Sequence, residues 1–302
     1  MKLKKRKQLI SIIAILFLVT IAVLLLKWRT NGKSFLHHRR ESWLSYIHWD
    51  QSDKEYTGKN VKIAVVDTGI DCETPELKAQ LKEVNTQIGG DNHLAENDIL
   101  HGTAVCGIIA ACPQNADQVL GVAPDVEISF IDVGADEYGS VSIENLTAGI
   151  QLAVDQKVDI INISIGVTNG SPELEAAIER AISNDIIVVA SAGNYMENNI
   201  LYPAKYSNVL CVGYVDRQGT KVSPIGELSK HVIYLPGENI VTCIKANEYA
   251  GCEGSSFSTA ICTGLVALLL EKNNDKVAVY DYLQKLEING TADFEDILKE
   301  FH

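Results

Sequence analysis

Basic residues are scarce in this chain. The 302 residues include 26 Lys and Arg against 39 Asp and Glu, which gives a formal net charge of −13 at pH 7. Residues 1–8 hold five of the basic side chains and no acidic one, so setting these five charges aside leaves −18 on the rest. Nucleic-acid binding relies on Lys and Arg to neutralise phosphates. The composition therefore predicts no nucleic-acid partner.

The number of cysteines is odd, and their spacing does not match that of known zinc sites. Seven cysteines are present, whereas secreted proteins normally pair theirs. Three lie within apolar stretches, where a free thiol acts as a small hydrophobe: Cys106, Cys211 and Cys262. Cys243 and Cys252 flank a predicted hairpin whose register makes them diagonal neighbours, at or beyond disulfide reach. The sequence leaves open whether these two form a disulfide, and it predicts no metal site.

One long hydrophobic run follows the basic tail of residues 1–8. Residues 9–26 are 18 consecutive positions without a charge, long enough to span a bilayer and longer than a usual signal-peptide core. The run predicts one transmembrane helix that anchors the chain in the cell membrane, followed by a linker over residues 27–42. A cleaved signal peptide is the alternative, although no small-x-small site follows the run.

The orientation of this anchor is inferred from charge. Positive side chains cluster more tightly before the run than after it, which favours an amino terminus inside the cell. Residues 43–302 are then extracytoplasmic. The odd number of cysteines is an observation against that location.

Residues 43–302 alternate between short apolar runs and amphipathic stretches. A length of about 250 residues suits a single domain. Five runs have the β-branched character of strands buried on both faces: 61–66, 126–133, 158–164, 186–192 and 209–215. Three stretches have helical spacing: 146–154, 174–182 and 258–270. This alternation predicts an α/β fold with a doubly wound, mainly parallel sheet, helices on both faces, and a site at the carboxyl ends of the strands.

Three short motifs supply an acid, a base and a nucleophile. Asp67-Thr68-Gly69 follows the first strand, whereas His101-Gly102-Thr103 and Gly254-Ser255-Ser256 each open an apolar stretch. A serine hydroxyl is a weak nucleophile at neutral pH, so an imidazole must accept its proton and a carboxylate must orient that imidazole. Each motif alone also occurs in plain turns. Together they predict a catalytic triad of an aspartate, a histidine and a serine.

A donor for the oxyanion completes this set. Asn194 closes the apolar run 186–192 and its small-residue turn, so its amide is expected at the carboxyl edge of the sheet. An Asx-turn is the structural alternative. Gly69 lets the chain turn after the first strand, and Gly254 lets the backbone approach a substrate closely.

With these motifs the chain resembles the subtilisin-like serine proteases, the subtilase family, over residues 43–298. The order Asp, His, Ser is that of subtilisin and differs from the order in other serine hydrolases. Seven stretches carry the resemblance in the family's order: Val61–Asp71, His101–Ala110, Leu120–Pro124, Ile161–Gly166, Ala190–Asn194, Tyr202–Ala204 and Gly254–Gly264.

The resemblance implies a role for each matching residue. Asp67, His101 and Ser256 would form the triad, and the Asn194 side chain with the Ser256 N–H would stabilise the oxyanion. Two strand edges would clamp an extended peptide by strand addition. Their residues are Gly139, Ser140 and Val141 on one side and Ser164, Ile165 and Gly166 on the other.

The chain departs from the family pattern at two places. Ala260 stands where the family usually has a proline that pre-sets the helix start. Leu201 stands at the base of the main specificity pocket, where many members carry a small residue, so we expect a shallower or reshaped pocket. Glu197 in the preceding loop makes a preference for a basic residue before the cut an alternative, although loop acids are commonly just solvated.

These observations predict a serine endopeptidase with a catalytic domain over residues 43–302. It would hydrolyse extended peptides or proteins through an acyl-enzyme while tethered to the membrane. Too few residues separate the anchor from this domain for a folding prodomain, which suggests similarity to proteases that process peptide precursors. The alternative is a catalytically silent, subtilase-like peptide-binding or scaffold protein. No cofactor is required; structural calcium near Glu76 and residues 115–118 is suggested by the resemblance but not established by the sequence.

Overall fold

The computed structural model describes residues 43–49, 55–86, 88, 100–115, 117–135, 140–194, 199–224, 230–288, 290 and 292–302. The predicted tail, transmembrane helix and linker lie outside these ranges, and so do Gly139 and Glu197. Within the described part of the chain, no helix is long and apolar enough to cross a membrane. The structure therefore leaves the anchor at residues 9–26 as a prediction.

Strands and helices alternate along the first two thirds of the described chain. The strands are β1 Lys62–Asp67, β2 Leu81–Asn85, β3 Glu127–Asp132, β4 Ile160–Ile163, β5 Ile187–Ser191, β6 Leu210–Val215, β7 Lys221–Ser223, β8 Ile233–Pro236, β9 Ile240–Lys245 and β10 Glu248–Cys252. The helices are α1 His101–Ala110, α2 Ile143–Asp155, α3 Pro172–Ser183, α4 Ser255–Lys272, α5 Lys276–Lys285 and α6 Phe294–Glu300. The predicted strands and helices are confirmed, with shifts of a few residues at their ends.

The main sheet is mostly parallel. Its order in the described residues is β2-β3-β1-β4-β5-β6-β7, and β8 pairs with β6. Only the β6–β7 pairing within this sheet is antiparallel among the described strands. Every residue of β4, β5 and β6 is buried, because helices cover both faces of a parallel sheet.

Two hydrophobic cores lie on opposite faces of this sheet. One contains the buried hydrophobic residues of α1 and α4 together with Ile63 and Val65 of β1. The other contains those of α2 and α3 together with Ala64 and Val66. Alternate residues of β1 thus face different cores, as the pleat of a strand requires. The predicted doubly wound arrangement with helices on both faces is confirmed.

Helix α4 runs through the middle of the molecule. Its residues are buried from Ser255 to Leu270, and it packs on α1 and on strands β4, β5, β6 and β8. A helix surrounded on all sides needs apolar residues all round, which explains why its sequence shows no polar stripe. Its amino terminus, which carries Ser256, points to the carboxyl ends of the central strands.

The strand order reverses at β1. The chain continues from β1 to β2 and β3 on one side and later places β4 on the other. Such a reversal opens a crevice at the carboxyl ends of parallel strands, where α/β proteins bind their ligands. Asp67 is the last residue of β1 and lies at that crevice.

The predicted hairpin is present, but its register differs from the expected one. Strand β10 pairs antiparallel with β9, and a bulge between Glu248 and Tyr249 places Cys243 opposite Tyr249 and Cys252 opposite Ile240. The two cysteines are therefore not diagonal neighbours, because the bulge shifts one strand along the other. All seven cysteines are free thiols, so the disulfide that the sequence left open is not formed in the structure.

Candidate active site

The turn after β1 and the start of α1 bring the predicted acid and base together. The Gly69 φ of 68° lies in the left-handed region, which glycine adopts without strain. The N–H of Gly102 donates to Thr68 O at 2.8 Å, so the first turn of α1 is docked on this turn. His101 Nδ1 lies 2.6 Å from Asp67 Oδ1. The contact forms because a strand end and a helix start are hydrogen-bonded to each other.

The pair is electrostatically coupled. Asp67 is fully buried, whereas the His101 side chain is 31% exposed. Burial by itself lowers the pKa of His101, but the charge of Asp67 and its hydrogen bond outweigh that effect and raise the pKa above its ordinary value. Since Nδ1 faces the carboxylate, neutral His101 carries its proton on Nδ1 and leaves Nε2 as an acceptor.

Ser256 lies in the first turn of α4. The preceding Gly254 has a φ of 136°, and a Cβ at that position would meet the Asn194 amide nitrogen at 2.8 Å. Glycine is therefore required here for conformation and for space. The Ser256 hydroxyl donates to Ser164 O at 2.6 Å, and the Ser164 hydroxyl donates to Ser256 O at 2.8 Å. The nucleophile candidate is thus held at the end of β4.

His101 and Ser256 are not hydrogen-bonded to each other among the described residues, but His101 contacts Phe257, the residue after Ser256. The rings of His101 and Phe257 lie with their centroids 5.5 Å apart, which brings the imidazole beside the start of α4. Between these described residues, the Ser256 hydroxyl bonds to Ser164 and not to His101. For catalysis the Ser256 hydroxyl would have to exchange Ser164 O for the imidazole, and in free enzymes such catalytic hydrogen bonds are commonly loose.

Asn194 has a defined amide orientation. Its Oδ1 accepts hydrogen bonds from the N–H and the hydroxyl of Ser255, both at 2.8 Å. A backbone N–H can only donate, so the bonded atom is the amide oxygen. The Nδ2 group is the remaining end of this amide, and it lies beside Gly254. The Asx-turn that the sequence allowed is replaced by this contact with α4.

The predicted peptide-binding edges extend from the ends of β3 and β4. Val141 forms an antiparallel bridge with Gly134, and Ala135 N donates to Ser140 O at 2.6 Å. Ser140 is exposed and Val141 is partly buried. Ile165, which is half-buried, packs against the core on the α2 and α3 side. Gly139 lies outside the described residues, so its predicted contact stays a prediction.

Leu201 packs against the segments that follow β4 and β5. Its N–H donates to Ala192 O at 3.0 Å. A Cβ at Gly166 would lie 2.9 Å from Leu201 Cβ, and one at Gly193 would lie 2.9 Å from Leu201 Cδ1. The side chain therefore touches the backbone of both segments. Tyr202, the next residue, forms an antiparallel bridge with Val167, which holds Leu201 against Gly166.

The structure reveals a buried carboxylate that the sequence motifs do not mark. Asp132 ends β3 and pairs in register with Asp67. It is 1% exposed, and its carboxylate accepts hydrogen bonds from Gly69 N at 3.2 Å and Gly134 N at 3.0 Å. Asp132 therefore fixes the turn that follows Asp67. Only the pairing of β1 with β3 identifies it, because the two residues are far apart in the chain.

In the region suggested for calcium, several side-chain oxygens already accept hydrogen bonds from other groups of the protein. Glu76 is fully buried; Oε1 accepts a hydrogen bond from the Tyr249 hydroxyl, and Oε2 has no partner among the described residues. Asn115 Oδ1 accepts from Asp117 N, and Gln118 Oε1 accepts from Gln114 N. The described residues contain no group of three or more His, Cys, Asp or Glu side chains arranged to hold a metal ion. Calcium binding stays a prediction.

Known proteins are similar to this chain in sequence. Residues 58–297 match the model of the subtilase family, peptidase S8. The major intracellular serine protease of Bacillus subtilis (strain 168) is 36% identical over 225 residues, which cover 72% of this chain and 70% of that protein. An intracellular serine protease of Paenibacillus polymyxa is 33% identical over 236 residues, covering 75% and 70%.

Solved structures agree with this assignment. The prenylagaramide maturation protease PagA superposes with a TM-score of 0.68 and 26% identity, covering 80% of this chain and 94% of that one. The family match spans most of the chain, and the curated relatives are serine proteases. This chain therefore belongs to the subtilase family of subtilisin-like serine peptidases.

Proposed function

We propose that this protein is a serine endopeptidase that cleaves extended peptide segments with Asp67, His101 and Ser256. One observation carries the proposal. A partly exposed imidazole is bonded through Nδ1 to a buried carboxylate and lies beside the helix start that presents a serine. This arrangement leaves His101 Nε2 free to accept the serine proton.

The proposed chemistry follows from these groups. Ser256 Oγ attacks the peptide carbonyl carbon while His101 Nε2 takes the hydroxyl proton, and Asp67 stabilises the imidazolium that forms. His101 then gives this proton to the leaving amine nitrogen as the C–N bond breaks, which leaves an ester on Ser256. A water molecule attacks the ester by the same route, with His101 as base, and restores the free serine.

The oxyanion would be stabilised by Asn194 Nδ2 and the Ser256 N–H. Ser256 lies in the first turn of α4, where backbone N–H groups have no acceptor within the helix and the helix dipole is positive. The Asn194 oxygen is held by Ser255, so the amide nitrogen is the end available to a substrate. Donors that are in place before the reaction cost little reorganisation.

Leu201 supports a proposal about the residue that precedes the cleaved bond. That side chain would enter the space between Gly166 and Gly193, next to Ser256, and Leu201 already occupies this space. We therefore propose substrates with a small residue, such as glycine, alanine or serine, at this position. The competing prediction of a basic residue rests on Glu197, which lies outside the described residues.

The cellular setting remains a proposal from the sequence. We propose that residues 9–26 tether the protein as a single-pass protein of the cell membrane, with the catalytic domain extracytoplasmic. The structural similarity to PagA, a maturation protease, supports a role in processing peptide precursors. An impermeant thiol reagent applied to intact cells tests the orientation, because Cys72 is exposed. Labelling only after cell lysis would contradict an extracytoplasmic domain.

A fluorophosphonate probe, which esterifies activated serines, tests the catalytic proposal against the silent binding-protein alternative. Wild-type protein should be labelled, and Ser256→Ala should not. Ser258→Ala is the matched control, since Ser258 is a buried serine on the same helix that donates to the carbonyls of Leu235 and Pro236. It should keep the label. Folded wild-type protein that is not labelled at Ser256 would contradict the proposal.

A further inference from the structure

Three polar side chains form a hydrogen-bonded chain from the end of β5 to the proposed oxyanion site. The hydroxyls of Ser191 and Ser255 lie 2.8 Å apart. The Ser255 hydroxyl lies 2.8 Å from Asn194 Oδ1. Gly193 N donates to Ser255 Oγ at 3.2 Å. Ser191 is 4% exposed and Ser255 is fully buried, so the hydrogen bond between their hydroxyls is shielded from water.

The direction of each proton in this chain can be deduced. Asn194 Oδ1 only accepts, so the Ser255 hydroxyl must donate to it. That donation uses the single proton of Ser255. In the hydrogen bond between the two serines, the Ser191 hydroxyl is therefore the donor and the Ser255 oxygen the acceptor. With the Gly193 N–H, the Ser255 oxygen accepts two hydrogen bonds and donates one, which fills its capacity.

Ser191 belongs to a fully buried strand of the main sheet. It is the last residue of β5 and is paired in register with Val212 of β6. Asn194, in contrast, follows a turn and is held by its contact with Ser255. Aligned hydrogen bonds polarise one another in a buried environment. A donor on the strand thus polarises the Ser255 hydroxyl and strengthens the bond that orients the amide.

We infer that Ser191 is a positioning residue for the oxyanion donor, acting through Ser255 on Asn194. The inference rests on the proposed function, because it concerns the same reaction. Ser191 touches neither the substrate nor the reacting atoms. Its removal should weaken transition-state stabilisation while leaving peptide binding in the ground state unchanged.

The test compares steady-state hydrolysis of a fluorogenic peptide by variants at position 191. Ser191→Ala should lower kcat by about three- to tenfold with KM within about twofold, a smaller loss than the roughly 10² to 10³-fold expected for removing the Asn194 donor itself. Ser191→Cys, which keeps the shape but donates weakly, should behave like Ser191→Ala. Ser191→Thr keeps a hydroxyl and should restore kcat.

A double-mutant cycle separates this role from a merely structural one. In the Asn194→Ala background, Ser191→Ala should cause no further loss of kcat, because its effect passes through the missing amide. Ser258→Ala, which also removes a buried hydroxyl, should leave the kcat of folded protein unchanged. Thermal unfolding of each variant confirms that folded protein is compared.

The outcomes are distinct. Equal kcat for Ser191→Ala and wild type would overturn the inference, as would an undiminished loss in the Asn194→Ala background or an effect confined to KM. Each of these results leaves Ser256-dependent hydrolysis by the wild type intact. Failure of the proposed function would appear differently, as wild-type protein without any Ser256-dependent hydrolysis.

Discussion

At the residue scale, the proposed activity depends on the protonation state of one imidazole. Only neutral His101 can accept the serine proton, and the hydrogen-bonded Asp67 raises its pKa. The ordinary value for histidine is about 6.5. The raised pKa also means that the protonated pair stabilises the fold below about pH 6.5, and that this contribution is lost as pH rises through the folded-state pKa. Activity and this part of the stability therefore change in opposite directions.

We predict that kcat/KM rises with pH along an acid limb whose midpoint lies above about 6.5. Asp67→Asn removes the charge that raises the pKa, so burial should shift the midpoint to lower pH while kcat falls by about 10⁴-fold. The measurement is a pH–rate profile of both proteins on one peptide. An Asp67→Asn midpoint equal to or above the wild-type one would refute the assigned coupling.

Leu201 provides the second prediction at this scale. Leu201→Gly should open the space between Gly166 and Gly193, and should raise kcat/KM for peptides with leucine or phenylalanine before the cleaved bond by at least about tenfold. Leu201→Met, which preserves bulk, is the matched control and should keep the wild-type preference. Cleavage of a peptide library measures both. Wild-type protein that cuts best after large or basic residues would exclude a closed pocket.

At the element scale, the position of His101 depends on how closely α1 approaches the end of β1. A Cβ at Gly102 would lie 2.4 Å from the Phe130 ring and 2.7 Å from Gly69 O. These contacts are too short for any side chain, so only glycine permits the observed docking. The helix start, rather than the histidine alone, is what delivers the imidazole to Asp67.

Gly102→Ala should therefore move the start of α1 away from β1. We expect a loss of about 1–3 kcal/mol of stability from overpacking, together with a fall in kcat per folded molecule. Gly264→Ala is the matched control, because its Cβ would meet Val122 at 2.5 Å further along α4, away from His101. It should destabilise without a comparable fall in kcat. Thermal unfolding and kinetics distinguish the two, and equal kcat losses would contradict the prediction.

At the scale of the whole molecule, packing rather than cross-linking stabilises the fold. Two cores cover the two faces of the sheet, and all seven cysteines are free. Partial desolvation of the sulfur, together with the charges of Asp71 and Glu73, raises the pKa of Cys72, although this side chain is exposed overall. The buried thiols also have raised pKa values, and that of Cys262 is raised to about 12. The buried thiols are protonated and shielded, so they should be unreactive in the native protein at neutral pH.

We predict that a reductant leaves the unfolding temperature unchanged. In the native protein, a thiol reagent should modify Cys72 first, at a rate that rises with pH, because the thiolate is the reactive form. Unfolded protein should expose all seven thiols. Mass spectrometry after timed labelling counts them. Fewer than seven modified thiols in unreduced, unfolded protein would reveal a disulfide.

Much of the fold was predictable because its strands are buried on both faces. Runs such as 186–192 are almost wholly apolar, a pattern typical of parallel strands. The Gly254-Ser255-Ser256 and His101-Gly102-Thr103 motifs likewise mark their sites, because tight turns restrict the residue types that fit. The register of β9 and β10 was not predictable in this way, since the bulge beside Tyr249 leaves no distinct pattern in the sequence.

The family and the alternation of strands and helices were predictable from the amino-acid sequence alone, and the same short motifs are the source of the proposed triad and oxyanion groups. These features depend on local patterns and short motifs, which act within a few residues of the chain. Only the tertiary structure placed Asp132 beside Asp67, Leu201 between Gly166 and Gly193, and Ser191 behind Ser255. Such contacts join residues that are distant in the chain, and they exist because parallel strands bring their carboxyl ends to one edge of the sheet.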